Sequence, residues 1–113
     1  MGDTSKVRRK AEVLRLHCEN EGRDPGQVDL THLSSVIVGA QDRHVAELVE
    51  RVRPRHRDPA RVARQYNAGT VEDHVGRCRE LAEAGVREVM VRLPDPTDPD
   101  AMEQMARVIS AFR

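Results

Sequence analysis

The sequence predicts a mixed α/β fold with parallel strands. Helical periodicity and two short β-branched runs alternate along the chain, in the order helix, strand, helices, strand, helix. Strands that are separated by helical segments are joined by crossover connections, so they run parallel. The chain has 113 residues, which is the length of one domain. We therefore expect a single α/β domain over residues 1–113.

Several segments have the periodicity and the end signals of helices. In the first, Val7, Leu14 and Cys18 recur at helical spacing on one face. Asp58 and Asp98 each precede a proline, which is typical of an N-cap followed by a first-turn proline. The predicted helices are Ser5–Asn20, Asp42–Val52, a short one from Asp58–Pro59, Thr70 to about Ala84, and a last one from Asp98–Pro99. We expect the apolar stripe of the last helix to pack against the second strand: Met102, Met105, Ala106, Ile109 and Phe112.

Two runs rich in β-branched residues predict strands. They are Val28–Val38 and Val86–Leu93, and the segment Asn67–Thr70 between them predicts a turn. The second run is apolar through Val89-Met90-Val91, which predicts a strand covered on both faces. Two strands alone do not make a stable parallel sheet. The sequence therefore predicts strands of a larger sheet than these residues contain.

Composition and charge argue against several classes of protein. The 19 basic and 19 acidic side chains cancel to a net charge of zero, whereas a general polyanion binder usually carries a basic excess. No apolar run approaches the roughly 20 residues of a membrane helix. The N-terminus leads into charge rather than into an apolar signal core. Cys18 and Cys78 fit no CxxC pattern, which indicates reduced thiols and a cytoplasmic protein.

A basic segment and the histidines raise nucleic-acid and metal binding as alternatives. The arginines within 51–64 could contact nucleic acid or a phosphorylated cofactor tail, but no aromatic residues are interleaved for base stacking. A solvated, ion-paired helix face is the favoured interpretation. No pair of histidines has the spacing of a metal site, so we expect no metal. His32 lies within a strand and is either an acid–base group or hydrogen-bonded to a neighbour.

Two short motifs stand out in their order and separation. Ala11–Cys18 is followed by Gly22-Arg23-Asp24-Pro25, and Gly69-Thr70-Val71-Glu72-Asp73 is followed by Leu81–Val86. Together they resemble the bacterial-luciferase-like oxidoreductases, especially the branch that uses the deazaflavin coenzyme F-420. The resemblance covers about residues 6–112.

This resemblance implies a partial (β/α)8 barrel. The full fold needs about 250 residues, and the motifs begin at the helix after the sixth strand. We therefore expect about the last three-eighths of a barrel, with two parallel strands and a mostly helical remainder. The implied reaction is hydride transfer or oxygen insertion on a small organic substrate, with reduced FMN or coenzyme F-420. The chain alone is expected to be inactive, and its expected partner is a second copy or the missing part of the barrel.

Three residues are candidates for binding that cofactor. Gly69 and Thr70 lie at a helix N-terminus, where backbone N–H groups favour a phosphate. Alternatively, Thr70 is a plain N-cap and Gly69 a turn residue. Arg92 lies at the end of the second strand where barrel active sites are found, and could bind a phosphate. Alternatively, it forms a surface ion pair with Asp95 or Asp98.

No catalytic residue is predicted from the sequence. The second hypothesis belongs to a different functional class: the chain is a small non-enzymatic α/β module that oligomerises. In that case the exposed strand faces and edges would be buried by another copy. A coding region for earlier barrel strands directly upstream would favour the oxidoreductase hypothesis over this one.

Overall fold

The computed structural model describes residues 4–113, which contain five α-helices, four short strands and one 3-10 turn. No helix in this range is long and apolar enough to cross a membrane. The helices are α1 (Ser5–Asn20), α2 (Asp42–Val52), α3 (Pro59–Gln65), α4 (Val71–Glu83) and α5 (Pro99–Ser110). The strands are β1 (Leu30–Ser35), β2 (Ile37–Gly39), β3 (Ala68–Thr70) and β4 (Val86–Arg92).

The helices begin where the sequence predicts them. The Asp58 carboxylate accepts the backbone N–H of Ala60 at 3.1 Å, and the Asp98 carboxylate accepts that of Asp100 at 3.0 Å. Each aspartate precedes a proline at the first helical position, where the missing N–H costs no hydrogen bond. These local contacts explain why the starts of α3 and α5 can be predicted from the sequence.

The strands form two small parallel sheets, so the predicted α/β class and parallel strands are confirmed. β1 pairs with β4, and β2 pairs with β3. The predicted turn at Asn67–Thr70 is wrong in part, because residues 68–70 form β3. The first predicted strand is divided at Val36, where the chain changes its strand partner. The strands in residues 4–113 do not close into a barrel.

The strand β4 is not covered on both faces, contrary to the prediction from its apolar centre. Met90 is 44% exposed and its neighbour Leu33 on β1 is 58% exposed. Side chains of successive residues alternate between the two faces of a strand. One face of the β1–β4 pair is therefore solvent-exposed, and we call it the open face: Thr31, Leu33, Glu88, Met90 and Arg92.

The stripe on α5 also differs from the prediction. Met102, Ile109 and Phe112 are each about half exposed, and the buried residues of this helix are Gln104 and Val108. Part of the stripe does lie along β4. Met105, Ile109 and Phe112 line an open groove of about 320 Å³ with Val89, Val91 and residues of α4.

The core is thin and aliphatic, because its buried apolar residues within 4–113 are mostly valines, with one isoleucine and one leucine. One cluster joins Ile37 of β2, Val49 of α2 and Val62 of α3, with Tyr66 and other half-buried side chains packed around it. Leu81 of α4 has no exposed surface. This cluster therefore lies where the short β2–β3 pair meets α2 and α3, beside the point where the chain changes strand partner.

Candidate functional site

The chain changes strand partner at two consecutive residues. The backbone N–H of Val36 donates to the carbonyl oxygen of Arg92 at 2.9 Å, and that of Ile37 donates to Tyr66 at 3.0 Å. The carboxyl ends of β1 and β4 therefore lie together where β2 begins to pair with β3. In open parallel sheets, ligands bind outside the carboxyl ends of strands, where neighbouring strands diverge.

Asn67 holds this junction together. Its side-chain Nδ2 donates to the carbonyl oxygen of Ser35 at 2.9 Å. The backbone carbonyl of the last residue of β1 thus has a hydrogen-bond donor. Its backbone has a φ of 46°, in the left-handed region that asparagine adopts more readily than most residues. That conformation turns the chain from α3 into β3. Asparagine before Ala-Gly is a turn signal, but its contact with Ser35 has no sequence signature.

A hollow of about 460 Å³ opens at the junction. Small-molecule sites commonly have volumes of about 300–1,000 Å³. Arg57 reaches its rim, because Nη1 of Arg57 donates to Oε1 of Gln65 at 3.2 Å. We call this the switch hollow, and its lining residues are Ser35, Val52, Gln65, Tyr66, Arg92, Leu93 and Pro94.

Arg92 supplies the positive charge of the switch hollow. Its side chain is exposed and makes no ion pair with any other residue of 4–113. The alternative ion pairs with Asp95 and Asp98 do not form. Asp95 instead accepts hydrogen bonds from Thr97, which hold the pKa of its carboxyl below its usual value, and Asp98 caps α5. The guanidinium is thus available to an anion.

Thr70 and Gly69 lie away from Arg92. Thr70 pairs with Gly39, whereas Arg92 pairs with Ser35 on the other side of the partner change. Oγ1 of Thr70 accepts the N–H of Asp73 at 3.3 Å, and the Asp73 carboxylate accepts the N–H of Thr70 at 2.9 Å.

This reciprocal cap favours the N-cap interpretation of Thr70. Both Glu72 and Asp73 place a carboxylate in the first turn of α4, where negative charge repels an incoming anion. Gly69 is buried in β3, opposite Val38, and is not in a turn. A phosphate at Gly69 and Thr70 stays a prediction that this geometry does not favour.

A second, smaller hollow of about 230 Å³ lies beside the switch hollow. The two share Val52, Leu93 and Pro94, so the Leu93-Pro94 segment forms a common wall. The smaller hollow has an apolar floor from β2 and α2, with Arg51, Asp95 and Asp98 also in its lining. It extends the candidate site with apolar surface.

A buried polar cluster lies on the opposite face of β1. Arg77 of α4 is 8% exposed, and its guanidinium meets Oγ of Ser34 and Nε2 of His32, each at 3.2 Å. Its Nε has no hydrogen-bond partner among the described residues. Burial lowers the pKa of Arg77, and burial together with the charges of Arg77 and Lys10 lowers the pKa of His32.

His32 was expected to be either an acid–base group or hydrogen-bonded to a neighbour. The contact with Arg77 favours the second alternative. A ring nitrogen that meets a guanidinium N–H must accept, so Nε2 of His32 carries no proton. The side chains of Ser34 and Ser35 point to opposite faces, so the Arg77 cluster is separate from the switch hollow. His32 and Arg77 are 45 residues apart, and no sequence signal links them.

The basic segment after α2 is partly tied into its own loop. Arg53 forms an ion pair with Glu50 and donates to the carbonyl oxygens of Pro54, Arg55 and Arg57. This agrees with an ion-paired surface rather than an extended polyanion-binding patch. Within residues 4–113, no group of three or more His, Cys, Asp or Glu side chains could hold a metal ion.

Comparison with protein-family models, curated proteins and solved structures finds no match. Membership of a family is therefore not shown for this chain. The features that bear on function are the switch hollow, its Arg92 without an ion-pair partner in residues 4–113, and the two motifs that resemble the luciferase-like oxidoreductases.

Proposed function

We propose that the chain is the C-terminal part of a luciferase-like (β/α)8-barrel oxidoreductase. In this proposal the switch hollow takes the phosphate end of a reduced flavin-type cofactor, FMN or coenzyme F-420. The observation that carries the proposal is Arg92, an exposed guanidinium without an ion-pair partner in residues 4–113, at the carboxyl end of a parallel strand. The parallel strand–helix order is compatible with this function.

The residues of the switch hollow suit a phosphate. A guanidinium can bind two phosphate oxygens at once. Ser35 and Tyr66 line the same hollow, and both residue types carry a hydroxyl that can donate a hydrogen bond to phosphate. Val52, Leu93 and Pro94 supply apolar surface for a ring system. The chain thus offers a binding and orienting role, while the bound cofactor would supply the hydride or the reactivity towards oxygen.

The open face supports the idea that the strands belong to a larger sheet. Leu33 and Met90 lie side by side in the β1–β4 register and are 58% and 44% exposed. In a barrel, alternate side chains of each strand point into the packed interior. We propose that this face is the barrel interior, completed by strands outside the described residues. The chain alone then lacks most of the pocket and is inactive.

The first test is cofactor binding by the purified chain. FMN and coenzyme F-420 are each added, and absorbance is followed through light-scattering chromatography. A chain that retains the yellow cofactor supports the proposal. A chain that retains neither cofactor overturns it for this chain, and leaves the resemblance as a sign of ancestry only.

A matched pair of variants tests the role of Arg92. We expect Arg92→Gln to weaken cofactor binding about tenfold, because a charge-assisted contact to phosphate is lost. Arg87→Gln is the control, since Arg87 lies near the other end of β4 and pairs with Asp29 at 3.8 Å. Equal binding by the two variants would contradict a phosphate site at Arg92.

A second candidate is the non-enzymatic α/β module that oligomerises. It is favoured by β4, which has a strand partner on one edge only within the described sheets. A defined oligomer that retains no cofactor, in the experiment above, would favour this function over the first.

A further inference from the structure

The outer edge of β4 offers unpaired backbone groups. β4 pairs with β1 alone among the described strands. The carbonyl of Arg92 points towards β1, because it accepts the N–H of Val36. Backbone groups of alternate residues point to opposite edges of a strand, so those of Val89 and Val91 face outwards. An exposed edge of this kind is a template for another strand.

We propose that two copies of this chain associate by antiparallel pairing of their β4 strands, about a two-fold axis at Met90. A two-fold interface is self-complementary, so each contact occurs twice. In this register Met90 lies opposite Met90 of the second copy, and Val89 lies opposite Val91. The occupant of the open edge is therefore a second copy.

Charge complementarity selects this register. With the axis at Met90, Glu88 lies directly opposite Arg92 of the second copy, and the reverse contact forms by symmetry. Both side chains are exposed, and neither has an ion-pair partner within residues 4–113. Opposite charges across an antiparallel pair are stabilising, and like charges are destabilising. A shift of the axis along β4 would separate these charges.

The backbone geometry agrees with that choice. Val89 and Val91 face outwards, so each Val89–Val91 pair can exchange both of its N–H···O=C bonds. Glu88–Arg92 and Met90–Met90 then occupy the non-hydrogen-bonded positions, where facing side chains approach more closely. The ion pairs and the apolar centre thus fall where cross-strand contacts are strongest.

The helical face adds apolar surface beside the same edge. Ile109 of α5 and Phe112, just after this helix, are 48% and 49% exposed, and they line the groove that contains Val89 and Val91. The two-fold axis brings the grooves of the two copies together on one side of the joined sheet. An edge-to-edge contact of this length is small for a protein interface, so we expect a dissociation constant in the micromolar range.

This inference does not rest on the proposed cofactor site, and it specifies a dimer for the second candidate, the oligomerising module. The cofactor site and the dimer use β4 differently. In a complete barrel, another strand would pair with this edge of β4. The dimer therefore forms only when the rest of the barrel is absent. Arg92 serves both proposals, whereas Glu88 serves only the dimer. Loss of the dimer through Glu88 is therefore distinguishable from loss of cofactor binding through Arg92.

A charge swap tests the register. Sedimentation equilibrium is measured under reducing conditions for the wild type, Glu88→Arg, Arg92→Glu and the double variant. We expect each single variant to weaken the dimer about tenfold or more, because like charges then face each other. We expect the double variant to recover wild-type affinity. A wild type that stays monomeric up to about 0.5 mM, or a double variant without recovery, overturns the proposal.

Cross-linking tests the axis with a matched control. Met90→Cys places two thiols opposite each other on the axis, within reach of a disulfide. Leu33→Cys lies on the same face but one strand further in, so its copies would be about 14 Å apart and cannot be bridged. We expect a disulfide-linked dimer from Met90→Cys only, with the wild type as the control for native thiols. Equal cross-linking of both variants, or of neither, would contradict the geometry.

Discussion

His74 of α4 is hydrogen-bonded through Nε2 to the carbonyl oxygen of Ile37, at 2.9 Å, in the interior against β2. A carbonyl can only accept, so Nε2 carries the proton. His74 is 3% exposed, and burial lowers the pKa of its imidazole. The neutral ring therefore joins α4 to the strand segment that borders the candidate site.

This contact predicts a loss of stability in acid. The folded-state pKa of His74 lies below its ordinary value of 6.5. Between these two pKa values, the unfolded chain binds a proton at His74 that the folded chain does not. The stability contribution is complete above about pH 6.5 and is lost as the pH falls towards the folded pKa. The free energy of unfolding should fall by up to about 1.4 kcal/mol per pH unit for this group.

Urea unfolding at about pH 7.5 and pH 5.5 checks the prediction. His74→Gln keeps a side-chain donor for Ile37 and removes the titration, so its pH dependence should be smaller. Some dependence should remain, because the pKa of His32 is lowered as well. A His74→Gln variant as pH-sensitive as the wild type would refute the assignment.

We expect the buried guanidinium of Arg77 to lower the free energy of unfolding, compared with an apolar side chain of similar size at this position. Its guanidinium is buried, and its hydrogen bonds within residues 4–113 go to Ser34 and His32, not to a carboxylate. A buried charge without a counter-ion is often replaced by an apolar group at no loss. Arg77→Met should therefore be as stable as the wild type or more stable, whereas Arg77→Ala should lose about 2 kcal/mol through lost packing. Denaturant unfolding distinguishes the cases, and a Met variant no better than the Ala variant would contradict this account.

Asn67 is expected to stabilise the junction in two ways. Asn67→Ala should lose about 2 kcal/mol, because it removes the hydrogen bond to Ser35 and places alanine in the left-handed region. Asn67→Gly keeps the backbone conformation and should lose only about 1 kcal/mol. The order wild type, Gly, Ala in thermal or urea unfolding tests both contributions. If the alanine variant is as stable as the glycine variant, the left-handed backbone conformation makes no contribution to stability at this position.

Two leucines should respond very differently to the same truncation. Leu81 is fully buried and Leu33 is 58% exposed. Leu81→Ala should lose about 2–5 kcal/mol through lost burial and the cavity left behind, whereas Leu33→Ala should change stability by less than about 0.5 kcal/mol. A large loss at Leu33 in the isolated chain would mean that the open face is covered in solution.

The starts of α3, α4 and α5 could be predicted from local sequence because their causes are local. Asp58, Thr70 and Asp98 cap backbone groups two or three residues away, and such contacts depend little on the rest of the chain. The parallel arrangement followed from the alternation of strands and helices. Arg92 was also a candidate from sequence, since its position at a strand end is read directly from the order of residues.

The partner change at Val36 and Ile37, the burial of Arg77 and the solvent exposure of Met90 were decided only by tertiary structure. Each depends on residues far apart in sequence, as in the contact of Arg77 with His32 across 45 positions. Local pattern indicates that Val89-Met90-Val91 is apolar, but not whether another layer lies over it. The sequence by itself therefore determined the helices, the two longer strand regions and their order. The tertiary fold decided that residues 68–70 form a strand and which faces are covered, because strand pairing and burial are properties of the packed neighbours.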